Sequence, residues 1–128
     1  MRAFALTALF AAGCTAHAAG TRTVERDDPL LDDASTDDRG AWQSAPWSRS
    51  EWIPYPGRGS VVIAHPLGRI PTGVQVYLSP DSDDRETENS RIAFIASGDI
   101  ATLTGVDDEY VAIENNTRGD FFARVVVH

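Results

Sequence analysis

Residues 73–79 read Gly-Val-Gln-Val-Tyr-Leu-Ser. Val74, Val76 and Leu78 alternate with Gln75, Tyr77 and Ser79, the period of a strand with one face toward a core and one toward solvent. Similar short runs lie on both sides. They cover residues 60–64 (SVVIA), 91–96 (RIAFIA), 100–104 (IATLT), 109–114 (EYVAIE) and 120–127 (DFFARVVV). Gly, Pro, Asn and Asp separate them, and residues 47–53 add a candidate edge strand. No stretch has the apolar spacing of a helix. About six or seven short strands predict an all-β domain over residues 41–128, a small antiparallel β-sandwich or barrel.

The expected core is Val61, Ile63, Val74, Val76, Leu78, Ile92, Phe94, Leu103, Val111, Ile113, Phe121, Val125 and Val127. Residues 115–119 (NNTRG) tolerate tight turns and predict a hairpin between the last two strands. The last strand is apolar on both faces except for Arg124, which suits a central strand or a subunit interface. Domains of this size are marginal alone, so self-association is expected.

Upstream the composition changes. Residues 25–38 (ERDDPLLDDASTDD) hold seven carboxylates against Arg26, with Leu30 and Leu31 as the only large apolar side chains. Such a segment is expected to bury too little surface to offset its ordering entropy. Residues 15–40 are therefore read as a disordered acidic linker of roughly 30 Å root-mean-square reach.

The first eighteen residues have the layout of an export signal: Arg2, an uncharged apolar run over 3–12, then small residues. The run is shorter than the ~20 apolar residues a spanning helix needs. Two processing sites compete. Ala11-Ala12-Gly13-Cys14 resembles a bacterial lipobox, with lipid attached to Cys14 and cleavage before it. Ala16-His17-Ala18 fits an ordinary signal peptidase. Cys14 is the only cysteine, so no internal disulfide is available. The expected location is the outer membrane or cell surface as a lipoprotein, otherwise the periplasm or medium.

The chain carries a formal charge of -8, and every one of its 11 basic residues is Arg. Loss of Arg2 with the signal makes the remainder one unit more negative. That acidity argues against nucleic acid and anionic membrane surfaces as partners. Contact with a bilayer is expected through Cys14 only.

Over residues 70–127 the chain resembles H-type lectin-like β-sandwiches, a type also met in phage receptor-binding fibres. The likeness rests on Pro71-x-x-Val74-x-Val76-x-Leu78, an acidic loop, Arg91-Ile92, Thr104-Gly105-Val106, and a closing strand with Phe122 and Val125. It implies a trimeric sandwich that binds sugars at subunit edges.

Trp42, Trp47 and Trp52 recur every five residues and Tyr55 follows. Exposed aromatics make platforms for sugar rings, whereas buried ones close a core. A five-residue step swaps strand faces, which disfavours one continuous platform. His65 and Arg69 flank a turn and complete a candidate ligand set of Trp47, Trp52, Tyr55, His65 and Arg69. Residues 81–88 (DSDDRETE) lack the EF-hand spacing and read as a solvated acidic loop. No metal site or cofactor is expected, and no triad is recognisable around His65 or His128. Arg118-Gly119-Asp120 spells an adhesion tripeptide, and Asn115-Asn116-Thr117 a glycosylation sequon; turn chemistry alone accounts for both. The expectation is a non-enzymatic surface module for a glycan, with a structural envelope protein as the alternative.

Overall fold

The computed structural model of the chain describes residues 20–49, 51–80 and 93–128. The chain is all-β, with two packed sheets in a small sandwich. In chain order the strands are β1 (Gly20–Val24), β2 (Ser35–Thr36), β3 (Trp42–Gln43), β4 (Ile53–Tyr55), β5 (Gly59–Ala64), β6 (Val74–Ser79), β7 (Phe94–Ala96), β8 (Thr102–Val106), β9 (Tyr110–Glu114) and β10 (Phe121–Val127). One sheet has four strands in the order β1-β5-β9-β8. The other has six, in the order β2-β3-β10-β6-β7, with β4 also on β10.

Alternation sets both inner faces. In the smaller sheet Val61 and Ile63 of β5 lie opposite Ile113 and Val111 of β9. In the larger sheet Val76 and Leu78 of β6 lie opposite Val125 and Ala123 of β10. All eight are buried. At roughly 1.5–3 kcal/mol for each large aliphatic side chain removed from water, these rows are the main stabilising term.

β10 is central. β6 runs along one edge, while β4 and β3 share the other, pairing with residues 121–123 and 126–127. Ser44 closes the gap between those two short strands. Its N–H donates to the Val125 carbonyl at 2.9 Å, and its Oγ accepts from the Val125 N–H at 2.9 Å.

Of the acidic segment expected to be a disordered linker, residues 20–40 are folded, and residues 15–19 lie outside the described residues. β1 adds to β5 in parallel, so the sandwich is not purely antiparallel. Val24 is fully buried, and Leu30 and Leu31 enter the core from a 3₁₀ turn at Pro29–Leu31. The Asp28 side chain caps that turn by accepting from the Leu30 N–H at 2.9 Å. Asp37 acts similarly: its Oδ1 accepts from the Ala41 and Arg39 N–H groups, which hold its carboxyl below the usual range. The aspartates thus satisfy backbone donors in turns, and three apolar side chains suffice to dock the segment. Arg22 lies on the same side of β1 as Val24 and reaches Asp28 at 3.7 Å. A charge there discourages further strands from adding to this edge.

Three more expectations change. Residues 115–119 do not form a hairpin; they cross from the four-stranded sheet, which holds β9, to the six-stranded sheet, which holds β10. The edge strand expected over 47–53 is replaced by β3 and β4 on either side of a loop, giving ten strands among the described residues. Phe94 and Leu103, placed in the core from sequence, are 41% and 47% exposed because each lies on an edge strand. Ile92 lies outside the described residues.

Candidate functional site

The outer face of the six-stranded sheet carries the most distinctive chemistry. Cross-strand register aligns Arg124 of β10 with Tyr77 of β6, and Tyr77 with Ile95 of β7. Trp47, from the loop between β3 and β4, folds over this row. Its ring centre is 4.9 Å from that of Tyr77, edge to face, and 5.8 Å from that of Trp52. The Arg124 guanidinium lies 4.1 Å from the Trp47 ring centre and 5.2 Å from that of Tyr77. Cation–π attraction in such a desolvated setting is worth up to ~2 kcal/mol.

Arg124 is only 4% exposed, yet its first anchors are neutral. Nε donates to the Ala45 carbonyl at 2.6 Å, and Nη2 donates to Gln43 Oε1. Burial lowers its pKa from the usual arginine value, and the Tyr77 hydroxyl acts the other way. The group stays a cation throughout the physiological range. No carboxylate among the described residues forms an ion pair with it; those pairs belong to Arg22 and Arg49.

Of the five ligand candidates, the structure brings only Trp47 into this patch as an exposed side chain, at 47% exposure. Trp52 supports it from below and is buried, as are Trp42 and Tyr55. Tyr55 sits in the core and donates from its hydroxyl to the Ile100 carbonyl at 2.8 Å. Burial, followed by the charge on Glu114, pushes its phenol well above the ordinary value. Trp47 and Trp52 lie outside the strands and touch each other, while Trp42 is buried on β3, so the alternation of a strand does not decide their placement.

His65 is also buried, with both ring nitrogens engaged. Nδ1 accepts from the Leu67 N–H at 3.2 Å, and Nε2 lies 3.0 Å from the Asp107 carbonyl. These partners require the neutral tautomer with the proton on Nε2. The ring therefore closes the 65–68 turn rather than facing a ligand. Arg69 is exposed on the loop between β5 and β6.

A cleft of about 380 Å³ lies where β5 ends. Glu25, Arg26, Asp27, Ala64, Glu109 and Tyr110 line it beside His65. Tyr110 donates to Glu25 Oε1 at 2.7 Å. Among the described residues no group of three His, Cys, Asp or Glu is placed to hold a metal ion. Cys14 and the acidic loop 81–88 lie outside the described residues.

The two tripeptide motifs have structural duties. Asp120 Oδ1 accepts from the Gly57 N–H at 2.9 Å. Asn115 is fully buried; its Nδ2 donates to the Gly119 carbonyl at 2.8 Å, and its Oδ1 accepts from both the N–H and the hydroxyl of Thr117. The sequon asparagine is thus the internal brace of the crossover.

Arg124 was missing from the sequence-derived ligand set. The signal was present: a lone charge in an otherwise apolar central strand must find a purpose-built environment. No protein-family model, no curated protein and no solved structure matches this chain.

Proposed function

We propose that the chain is an exported, lipid-anchored binding module of a bacterial envelope, without enzymatic activity, and that the Trp47–Tyr77–Arg124 patch takes a carbohydrate. The carrying observation is the half-exposed indole of Trp47 packed over a guanidinium on the outer sheet face. A flat aromatic ring with polar donors beside it suits the apolar face and hydroxyls of a sugar. Packing against Tyr77 and Trp52 fixes the indole in advance, which lowers the ordering cost of binding. A structural rather than catalytic role for histidine fits the two backbone hydrogen bonds of His65.

Anchoring rests on the export layout of residues 1–18 and on Cys14 directly after Gly13. Fatty-acid labelling that Cys14→Ser abolishes supports the anchor; a mature protein beginning at Ala19 refutes it. For the ligand, the test is a glycan array with the full mature chain and its Trp47→Ala variant. Saturable binding lost in the variant supports the reading, and a folded protein that binds no glycan refutes it.

One observation favours a second reading, self-assembly or docking to another envelope protein. Among the described residues β7 is an edge strand, and its Ile95 and Phe94 are 65% and 41% exposed. Sedimentation as a monomer at micromolar concentration would count against self-assembly.

A further inference from the structure

We infer that the sugar taken by this patch carries a carboxylate, a uronic or sialic acid, and that Arg124 reads it. The inference deepens the carbohydrate reading and rests on it.

Three observations converge on Arg124. It is a buried cation with two aromatic neighbours and no carboxylate partner among the described residues. Burying a charge is costly, and the usual compensation is an opposite charge. Among the described residues its neighbours are neutral acceptors and ring faces instead, and an acidic ligand would supply the counter-ion.

The unused hydrogen-bonding capacity is specific. Nε is committed to Ala45 and Nη2 donates to Gln43, while Nη1 makes no hydrogen bond to any described residue. A planar guanidinium offers paired N–H donors that match a carboxylate, and a charged hydrogen bond is roughly twice as strong as a neutral one.

The surroundings then divide the labour. Trp47 presents its open surface to the ring of the sugar. Arg124, below and beside it, receives the carboxylate. Gln43, already turned toward the guanidinium, fixes the plane of the fork. The chain's charge of -8 repels acidic glycans at long range, so this attraction must be local. Added salt screens the distant repulsion more than the short contact. Binding is therefore expected to hold or strengthen up to moderate ionic strength, the opposite of binding to a basic surface.

The experiment is calorimetric titration of the full mature chain with four probes: oligogalacturonate, its methyl ester, sialyllactose and lactose. At least tenfold tighter binding of oligogalacturonate than of its ester, or of sialyllactose than of lactose, is expected. Which pair discriminates identifies the sugar class. Arg124→Lys should erase that preference while Trp47→Ala removes binding altogether. Because Arg124 is buried and its substitution also tests the fold, the acid-to-ester ratio on the native chain decides. Equal affinities overturn the role of Arg124 and leave the carbohydrate reading standing. No binding of any probe overturns both.

Discussion

The Asp120 carboxylate accepts a 2.9 Å hydrogen bond from the backbone N–H of Gly57, fastening the start of β10 to the turn before β5. The two loops touch so closely that a β-carbon on Gly57 would lie 2.6 Å from the carbonyl carbon of Arg118. Backbone cannot yield as a side chain can, so Gly57→Ala is expected to cost roughly 1–3 kcal/mol. Asp120→Ala, which frees a solvent-exposed donor, should cost only about 1 kcal/mol. Urea midpoints of the two variants test the order. The acid of the Arg-Gly-Asp tripeptide is thus already engaged.

Trp47 is the one tryptophan with substantial exposure, against 4% for Trp42 and 1% for Trp52. Quenching of the native fluorescence by acrylamide should therefore come largely from Trp47 and fall sharply in Trp47→Phe. Trp47→Ala uncovers Arg124 and removes the contact with Tyr77; a loss of about 1–2 kcal/mol is expected from the cation–π and aromatic terms together. Equal quenching in both forms would mean that the indole is not displayed.

Tyr55 gives the fold an alkaline limit. Its folded pKa is raised, by burial first and then by Glu114. Below about pH 10 the phenol is protonated in both states and titration has no effect on stability. Above that the unfolded chain releases the proton while the folded chain holds it, so stability falls as pH rises. Tyr55→Phe should flatten this decline in thermal melts taken from pH 9 to 11. At neutral pH the variant should lose about 1–2 kcal/mol, because the Ile100 carbonyl is left without its donor. A parallel decline in both proteins would place the alkaline sensitivity elsewhere.

The acidic segment is part of the folded unit, so removing it should be damaging. Leu31→Ala is expected to cost about 2–4 kcal/mol, as for other buried leucines. A chain starting at Ala41 loses Val24, Leu30 and Leu31 from the core and strips β1 from β5. It should show a markedly lower melting temperature or fail to fold. A melt unchanged from that of the full mature chain would restore the linker reading.

Much of the sandwich was legible because its central strands alternate. GVQVYLS and EYVAIE declare their inner faces in sequence, and Val76, Leu78, Val111 and Ile113 lie in the two buried rows; DFFARVVV, apolar on both faces, declares its central place instead. β1 was hidden because Gly-Thr-Arg-Thr-Val offers one apolar side chain and is held by backbone hydrogen bonds to a strand about 40 residues away. Leu30 and Leu31 were visible but outvoted by seven neighbouring carboxylates, whose role as turn acceptors depends on local geometry. Residues 115–119 carry the chemistry of a turn whether the chain folds back on one sheet or crosses to another. Only the non-local partners of β9 and β10 distinguish the two. At the site, type pointed to Trp47, Trp52 and Tyr55 alike, and the packing of Trp47 over Trp52 and Tyr77, a non-local contact, left the first at the surface.

The early start of the fold changes what a lipid on Cys14 would do. Residues 15–19 separate Cys14 from β1, and five residues span at most about 18 Å in any conformation. Gly20 pairs beside Gly59, at the end of the sandwich where the Gly57 and Arg118 loops meet. That end would be drawn down onto the headgroups, with the acidic cleft at the far end pointing away from them. Arg124 lies midway along β10, so its patch would look sideways, parallel to the plane of the leaflet. Anything bound there would be met laterally, among neighbours on the same surface, and not captured from above.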